Sequence, residues 1–397
     1  MSNNNRQNSF LSKIPRAYYF FGIFCVLFVG LMVSIEIING RFWTSDLVVY
    51  FGASKDYFNG ADPYIHNYGL DTGYFKYAPT TLYFFLPSIW LSLFSVQILH
   101  IVLLTISLVF SILILYRLNF NNLNSKKYAF LMYAGFIVIA KHVVREFHMG
   151  NVNLLLLFLF CAGLLYLKRG KENTSAILWS IMIILKPIVI LTFIPLAFYK
   201  KWKIVFLMVG LGAFYFILPI LNSGTDGLIP IWSKWLDSIS AHGGYIISEN
   251  SLTYILEYYS GIKSNWGASI FFLMALLGFM FITVRRKIKI ELFEWLAVFL
   301  AFCPNFFVTD TEHFLLSLPL IMLLVRYLLE EKRWYYWLMF AVSIFFFSFN
   351  INDLLGRPLS DTLDAMGMLG IANLTFIVLF LLVRTKSSRN KLSNQLN

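Results

Sequence analysis

The sequence predicts an all-α polytopic membrane protein, and three observations carry that prediction. Apolar residues make up 59% of the 397 and charged residues only 13%, against about 25% charged in a soluble domain. That leaves too little polar surface to cover a fold in water. The apolar residues are gathered into long runs broken by short polar stretches. Lys and Arg cluster just beyond those runs, as membrane-flanking loops do.

The runs, in order, are 18–38, 80–93, 98–116, 128–140, 154–167, 176–198, 204–221, 266–284, 292–307, 314–329, 335–349 and 366–383, giving about 12 transmembrane or re-entrant helices. Each is read as a helix because backbone in lipid must satisfy its own hydrogen bonds. The first follows a basic N-terminus, exceeds a signal-peptide core in length and lacks a small-residue cleavage site, so it is read as a retained span. Several of the others are shorter than the roughly 20 residues of a perpendicular crossing. One candidate for a re-entrant segment is the run interrupted at Lys186-Pro187.

Basic clusters after residues 199, 284, 330 and 383 alternate with charge-poor segments at 222–265, 306–313 and 349–365. The positive-inside rule puts those three segments, together with 39–79, on the outer face. Twelve full crossings would leave Arg117, Lys126, Lys127, Lys168, Arg169 and Lys171 outside, against the rule, and the side of 141–150 stays open. The expected organisation is a cytoplasmic tail (1–16), a single multi-span domain (17–385) and a cytoplasmic tail (386–397), with 2–9 and 387–397 read as disordered. Segments 39–79 and 222–265 are too long for simple connectors and, as long ordered loops usually do, are expected to carry function at the plasma membrane's outer surface.

The net charge of +12 does not indicate a nucleic-acid partner, because the cations flank apolar runs instead of forming one basic face. Cys25, Cys161 and Cys303 all lie in or against apolar runs, so neither disulfides nor a metal site is expected. Phosphate-binding glycine loops, zinc-ligand spacings and a nucleophile elbow are missing from the sequence.

The first outer segment is the most informative. Asp46, Val49, Tyr50, Ala53 and Tyr57 recur at helical spacing. Asn59-Gly60 ends that helix and Asp62-Pro63-Tyr64 turns the chain. The expected object is a short helix on the outer membrane surface with a carboxylate at its start. Thr44, Ser45 and Asp46 can equally be helix caps. Lys76, in Phe75-Lys76-Tyr77-Ala78-Pro79, is either an interfacial anchor or an anion contact. Lys186 at membrane depth needs a partner, which a lipid phosphate or a carboxylate such as Glu36 would supply. Lys141, His142, Arg145, Glu146 and His148 form a charged cluster before Gly150-Asn151-Val152-Asn153, suited to phosphate if it faces outward. His313, beside Asp310 and Glu312, suits a phosphate or a sugar hydroxyl, or is structural. In the second outer segment, 242–245 and Glu249-Asn250-Ser251-Leu252 offer groups suited to sugar.

In this order, the motifs resemble the GT-C superfamily of membrane glycosyltransferases, and more narrowly glycosyltransferase family 87, whose members are polyprenol-phosphate-mannose-dependent mannosyltransferases. The resemblance runs over about residues 15–330 and rests on Asp46 with Tyr50, Gly60-Ala61-Asp62-Pro63-Tyr64, Phe75-Lys76-Tyr77-Ala78-Pro79, Gly150-Asn151-Val152-Asn153, Lys186-Pro187, Asn250-Ser251-Leu252 and Glu312-His313. The chain has Gly150-Asn151 where the family usually has Gly-Gln, and Thr311-Glu312-His313 where a Trp-rich or double-His segment is common. The resemblance implies a GT-C fold and inverting transfer of a sugar, by default mannose, from a polyprenyl-phosphate donor to a lipid or glycan acceptor. It implies no cofactor and no metal. Asp46 would be the general base, and Lys186, His313, Arg145 and Lys76 would meet the donor phosphate. Tyr50, Tyr64, Tyr77, Asn151, Asn250 and Ser251 would line the substrate site. Arabinofuranose or another sugar on the same fold is the alternative. A lipid-linked sugar flippase or transporter should show two related halves with paired interrupted helices, and no such symmetry is visible.

Overall fold

The structure, a computed structural model, describes residues 16–69, 73–120, 129–242, 249–286, 288, 290–307, 310–331 and 333–396. It is helical, with no strand among the described residues. The helices are α1 (Arg16–Ile38), α2 (Ser45–Phe58), α3 (Leu82–Phe85), α4 (Leu93–Phe120), α5 (Phe130–Met149), α6 (Asn153–Lys168), α7 (Glu172–Leu185), α8 (Ile194–Phe198), α9 (Trp202–Ile217), α10 (Ile220–His242), α11 (Leu252–Ser260), α12 (Gly267–Arg285), α13 (Leu292–Phe306), α14 (Leu318–Glu330), α15 (Trp334–Ser348), α16 (Asn352–Leu355), α17 (Arg357–Ala365) and α18 (Met368–Leu396). Four 3-10 stretches join them: Pro79–Thr81, Leu86–Ser88, Pro187–Phe193 and Thr311–Ser317.

Five segments are long and apolar enough to cross a bilayer: α1, α4, α12, Thr311–Glu330 and Met368–Lys386. A sixth would be α9 with α10, but these meet at a bend of 92°, so α10 turns away from the bundle axis. Apolar helices of 10–17 residues (α6, α7, Pro187–Phe198, α13 and α15) fill the bundle between them. Phe20, Leu27 and Leu31 on α1 are exposed, as a lipid-facing stripe should be.

Two apolar runs do not form single helices, the first against expectation and the second broken at Lys186-Pro187 as the re-entrant reading has it. Run 80–93 is not a span; Pro79 and Pro87 break it into short turns, because proline lacks the N–H that a continuous helix needs. Run 176–198 is a hairpin and not one helix. Lys186 leaves α7 in extended conformation (φ −143°, ψ 100°), as a residue before proline prefers, and the chain returns through Pro187–Phe193 and α8. Trp179 and Phe193 pack across the hairpin at 5.3 Å, and Lys201 closes its open end on Glu172 at 2.8 Å.

This partition removes the conflict with the positive-inside rule. Arg117 lies beside the start of α1, where Tyr116 packs on Tyr18 at 5.9 Å. Lys168, Arg169 and Lys171 join Lys201 at the open end of the hairpin. Tyr199 reaches the Ile290 carbonyl at 2.6 Å, and Arg384 pairs with Glu294 at 2.9 Å, at that same end. The basic clusters therefore gather at the end of the bundle opposite α2. Lys126 and Lys127 lie outside the described residues.

Membrane helices pack by close contact of small residues more than by hydrophobicity. Gly163 of α6 illustrates this, since a Cβ there would meet Trp179 Nε1 of α7 at 2.1 Å. The three cysteines are buried and free. Segment 39–79 forms a second small core over the bundle end, built from Leu47, Tyr50, Ala53, Tyr57, Tyr64 and Phe75. Segment 222–265, expected as a loop, is mostly helical. Its helix α10 straps the first segment down: Trp235 Nε1 donates to the Lys76 carbonyl at 3.0 Å, Ser238 Oγ to that of Phe75 at 2.9 Å, and Lys234 pairs with Asp62 at 2.7 Å. The C-terminal segment, read as disordered, continues α18 to Leu396; residues 384–396 hold no Pro or Gly to stop the helix. The N-terminal tail to residue 15 lies outside the described residues.

Candidate functional site

Five chain segments end together beneath α2: the C-termini of α5 and α7 and the N-termini of α6, Pro187–Phe193 and Thr311–Ser317. Gly150 makes the α5 end possible. It sits at φ 67°, ψ 34° and closes the helix with its N–H on the Glu146 carbonyl at 2.9 Å. A Cβ on it would meet Thr44 Cβ at 2.9 Å and Leu47 Cβ at 3.0 Å, so only glycine lets α2 come this close.

Asp46, in the first turn of α2, accepts a hydrogen bond on Oδ2 from Asn151 Nδ2 at 2.6 Å. Of the capping alternative, the side-chain cap is not formed, while Asp46 does stand in the first turn where it meets the helix dipole. Thr44 precedes the helix at φ 43° with no side-chain cap, and its Oγ1 accepts from Gln97 Nε2 at 2.8 Å. Asn151 is fixed in direction. Its Oδ1 faces the Val152 N–H (2.7 Å) and the hydroxyls of Tyr50 (3.3 Å) and Tyr77 (3.4 Å), which directs Nδ2 at Asp46 and, at 3.4 Å, at Glu312 Oε1. The two tyrosine hydroxyls are 2.6 Å apart. Burial holds both phenols well above their usual pKa, so they are neutral.

The Asp46 carboxyl is pushed up to about 7, first by burial and then by the nearby Glu312, against the lowering effect of Lys186; Asp310 raises it further and Lys76 opposes. By surface area Asp46 is half-buried, so one side stays open to solvent or a substrate. Lys76 lies within electrostatic reach of Asp46 and Asp310; burial, the larger effect, lowers its pKa.

Lys186 sits at the hairpin tip, buried. Its Nζ contacts Asn153 Oδ1 at 3.0 Å and His313 Nε2 at 2.9 Å and lies 5.7 Å from the Tyr77 ring centroid. An ammonium only donates, so His313 accepts at Nε2 and carries its proton on Nδ1, which faces the Asp310 carbonyl at 3.2 Å. Glu36, the carboxylate suggested for Lys186, instead pairs with His148 at 3.2 Å. Arg145, half-exposed, contacts Glu312 Oε2 at 3.3 Å. Asp310, Glu312 and His313 hold one ligand atom each within 4.8 Å of one another, as a metal site would. Arg145 and Lys186 already set positive charge against two of these three groups.

The structure thus brings Asp46, Tyr50, Tyr77, Asn151, Lys186, His313 and Arg145 to one site, with Lys76 at its edge. Tyr64 is one step removed; its hydroxyl supports the Tyr77 carbonyl at 2.9 Å. Asn250 and Ser251 are not in the cluster, and their polar groups hold helices together. Ser251 Oγ caps α11 through the Tyr254 N–H at 3.2 Å, and Asn250 Oδ1 accepts from the Gly370 N–H at 3.0 Å. Residues 243–245 of the second outer segment lie outside the described residues. Sequence reasoning left Asn153 without a role, although it stands in the quoted Gly-Asn-Val-Asn motif, and did not pair Glu146 with it. Glu146 is fully buried and accepts from Asn153 Nδ2 at 2.8 Å and the Leu154 N–H at 3.0 Å.

The sequence model of glycosyltransferase family 87 matches residues 75–309, more than half of the chain. The matched stretch includes Lys76, Tyr77, Arg145, Asn151 and Lys186; Asp46 precedes it and Glu312 and His313 follow it. None of the curated proteins matches the chain.

Proposed function

The chain belongs to glycosyltransferase family 87, and from that premise we propose that it moves a sugar from a polyprenyl-phosphate carrier to a lipid or glycan acceptor, with inversion, on the extracytoplasmic face of the membrane. The observation that carries the proposal is one carboxylate, Asp46, aimed by Asn151 and within electrostatic reach of Lys186, which pairs with His313. Glycosyl transfer to a hydroxyl needs one base and a cationic seat for the leaving group, and this is that pair of elements.

Asp46 takes the proton of the acceptor hydroxyl as that oxygen bonds to the anomeric carbon. The bond from that carbon to the phosphate oxygen breaks on the opposite face, and polyprenyl phosphate departs as the anion. It needs no proton, so a second carboxylic acid is not required, unlike glycoside hydrolysis. Lys186 uses two N–H groups on Asn153 and His313 and turns the third to the phosphate. Arg145 and Lys76 add positive charge at the rim. A monophosphate leaving group is served by these side chains without a metal. Sidedness follows from the basic clusters at the opposite end of the bundle, which the positive-inside rule assigns to the cytoplasm along with both termini. Mannose is the sugar implied by the resemblance, with arabinofuranose as the alternative.

The test is transfer by purified protein, with chelator present throughout, from a panel of radiolabelled polyprenyl-phosphate sugars to native membrane lipid. The wild type should label lipid from one donor, and Asp46→Asn should lower the rate by about 10²–10⁴-fold with donor binding intact. Wild-type turnover by Asp46→Asn removes the assigned base, and transfer that needs a divalent ion contradicts the metal-free reaction.

A further inference from the structure

Glu146 is a fully buried carboxylate that the reaction above does not use. It lies on α5, one turn before Gly150, with its oxygens on Asn153 Nδ2 at 2.8 Å and the Leu154 N–H at 3.0 Å. Asn153 Oδ1 in turn accepts from Lys186 Nζ at 3.0 Å, and that ammonium meets His313 at 2.9 Å. The four side chains form one directional chain. A carboxylate only accepts, so Asn153 must turn its NH2 to Glu146 and its oxygen to Lys186.

We propose that Glu146 is a positioning residue for Lys186: acting through Asn153, it fixes the direction of the ammonium and supplies its counter-charge, so that the site stands ready for the phosphate of the lipid donor. This rests on the donor reading given above. Without Glu146, the buried lysine keeps Glu312, Asp46 and Asp310 within electrostatic reach but loses the carboxylate that acts on it most strongly, which favours its neutral form. A neutral, unaimed amine has to be recharged and reoriented as phosphate binds.

The competing role is a structural cap on α6, because Glu146 also accepts from the Leu154 N–H in that helix's first turn. The sign of one measurement separates the two. Glu146→Gln keeps an acceptor for the Leu154 N–H but presents an NH2 to Asn153, which must flip and turn its own NH2 toward Lys186. If Glu146 were only a negative charge near the site, neutralising it would tighten phosphate binding. If it aims Lys186, neutralising it weakens binding.

Binding of polyprenyl phosphate, without sugar, to the purified full-length protein reads this directly. Glu146→Gln should weaken it about tenfold or more, the scale of a lost charge-assisted hydrogen bond. The double variant Glu146→Gln/Asn153→Asp should return to within about threefold of wild type. There the new carboxylate sits directly on Lys186 and accepts from the Gln amide, so every group is again paired. Asn153→Ala leaves the cap on Leu154 in place, should show the same loss, and carries the test if Glu146→Gln does not fold. Unchanged or tighter binding by Glu146→Gln, or a double variant as weak as the single, overturns the proposal. A wild type that does not bind polyprenyl phosphate refutes the donor reading itself.

Discussion

Replacing Gly150 with alanine should disable the site from a residue that touches no substrate. The backbone there is left-handed, φ 67°, a conformation that costs an L-residue about 1–2 kcal/mol. The added Cβ would lie 2.9 Å from Thr44 Cβ, 3.0 Å from Leu47 Cβ and 3.3 Å from Thr44 Cα. These are atoms at the root of α2, not the tips of flexible side chains, so the contact is relieved only by moving backbone. Overpacking of this kind costs about 1–3 kcal/mol, so the two effects together lower stability by about 2–5 kcal/mol. Asp46 lies between the two residues struck and rides on the same turn, so the 2.6 Å contact with Asn151 is lost. A displacement of about 1 Å at a reacting group costs on the order of 10²-fold in rate. Thermal unfolding of the purified protein in detergent and turnover at saturating donor are the two measurements. Gly150→Asn separates the causes, since Asn tolerates the left-handed backbone but still carries the Cβ; it should lose nearly as much activity as alanine. Wild-type melting and turnover in Gly150→Ala would refute the argument that this close approach sets the position of Asp46.

The rate should also follow the ionisation of Asp46. A base with a pKa of about 7 is inactive when protonated, so kcat/KM should fall about tenfold per pH unit below that value and level off above it. Glu312→Gln removes a neighbouring negative charge and should move that limb to lower pH; a limb that stays in place assigns it to another group. Lys186→Ala and His313→Ala should raise KM for the donor more than KM for the acceptor, and normal donor kinetics in both would locate the phosphate elsewhere.

Much of the upper face was legible from residue spacing. The period of Asp46, Val49, Tyr50, Ala53 and Tyr57 predicted a helix ending at Asn59-Gly60, and α2 runs from Ser45 to Phe58 with Gly60 at φ 81°. The break at Lys186-Pro187 was legible because proline acts locally. Run 80–93 was misread because composition alone does not separate a span from an apolar stretch cut by proline. The alternative of a capping Asp46 stayed open in the sequence, since Thr44 takes its left-handed backbone in packing against Gly150, a hundred residues away. Separation along the sequence also hid the bridge from Asn151 to Glu312, 161 residues on, and the chain from Glu146 to Lys186, which passes through Asn153. Asn250 and Ser251 looked suited to sugar because amides and hydroxyls serve helix contacts and ligands equally well.

The hairpin that ends at Lys186 has a consequence for the bilayer around it. Its rising arm, α7, has 14 residues, about 21 Å of helix, against a hydrocarbon layer of about 30 Å. An arm this short leaves its tip below the level of the lipid headgroups unless the membrane dips to meet it. A dip on that side would let a long-chain phosphate reach the ammonium while its tail stays among neighbouring tails, with no need to be lifted into water. Sensitivity to lipid chain length would then be a property of the enzyme itself, greatest in thick bilayers.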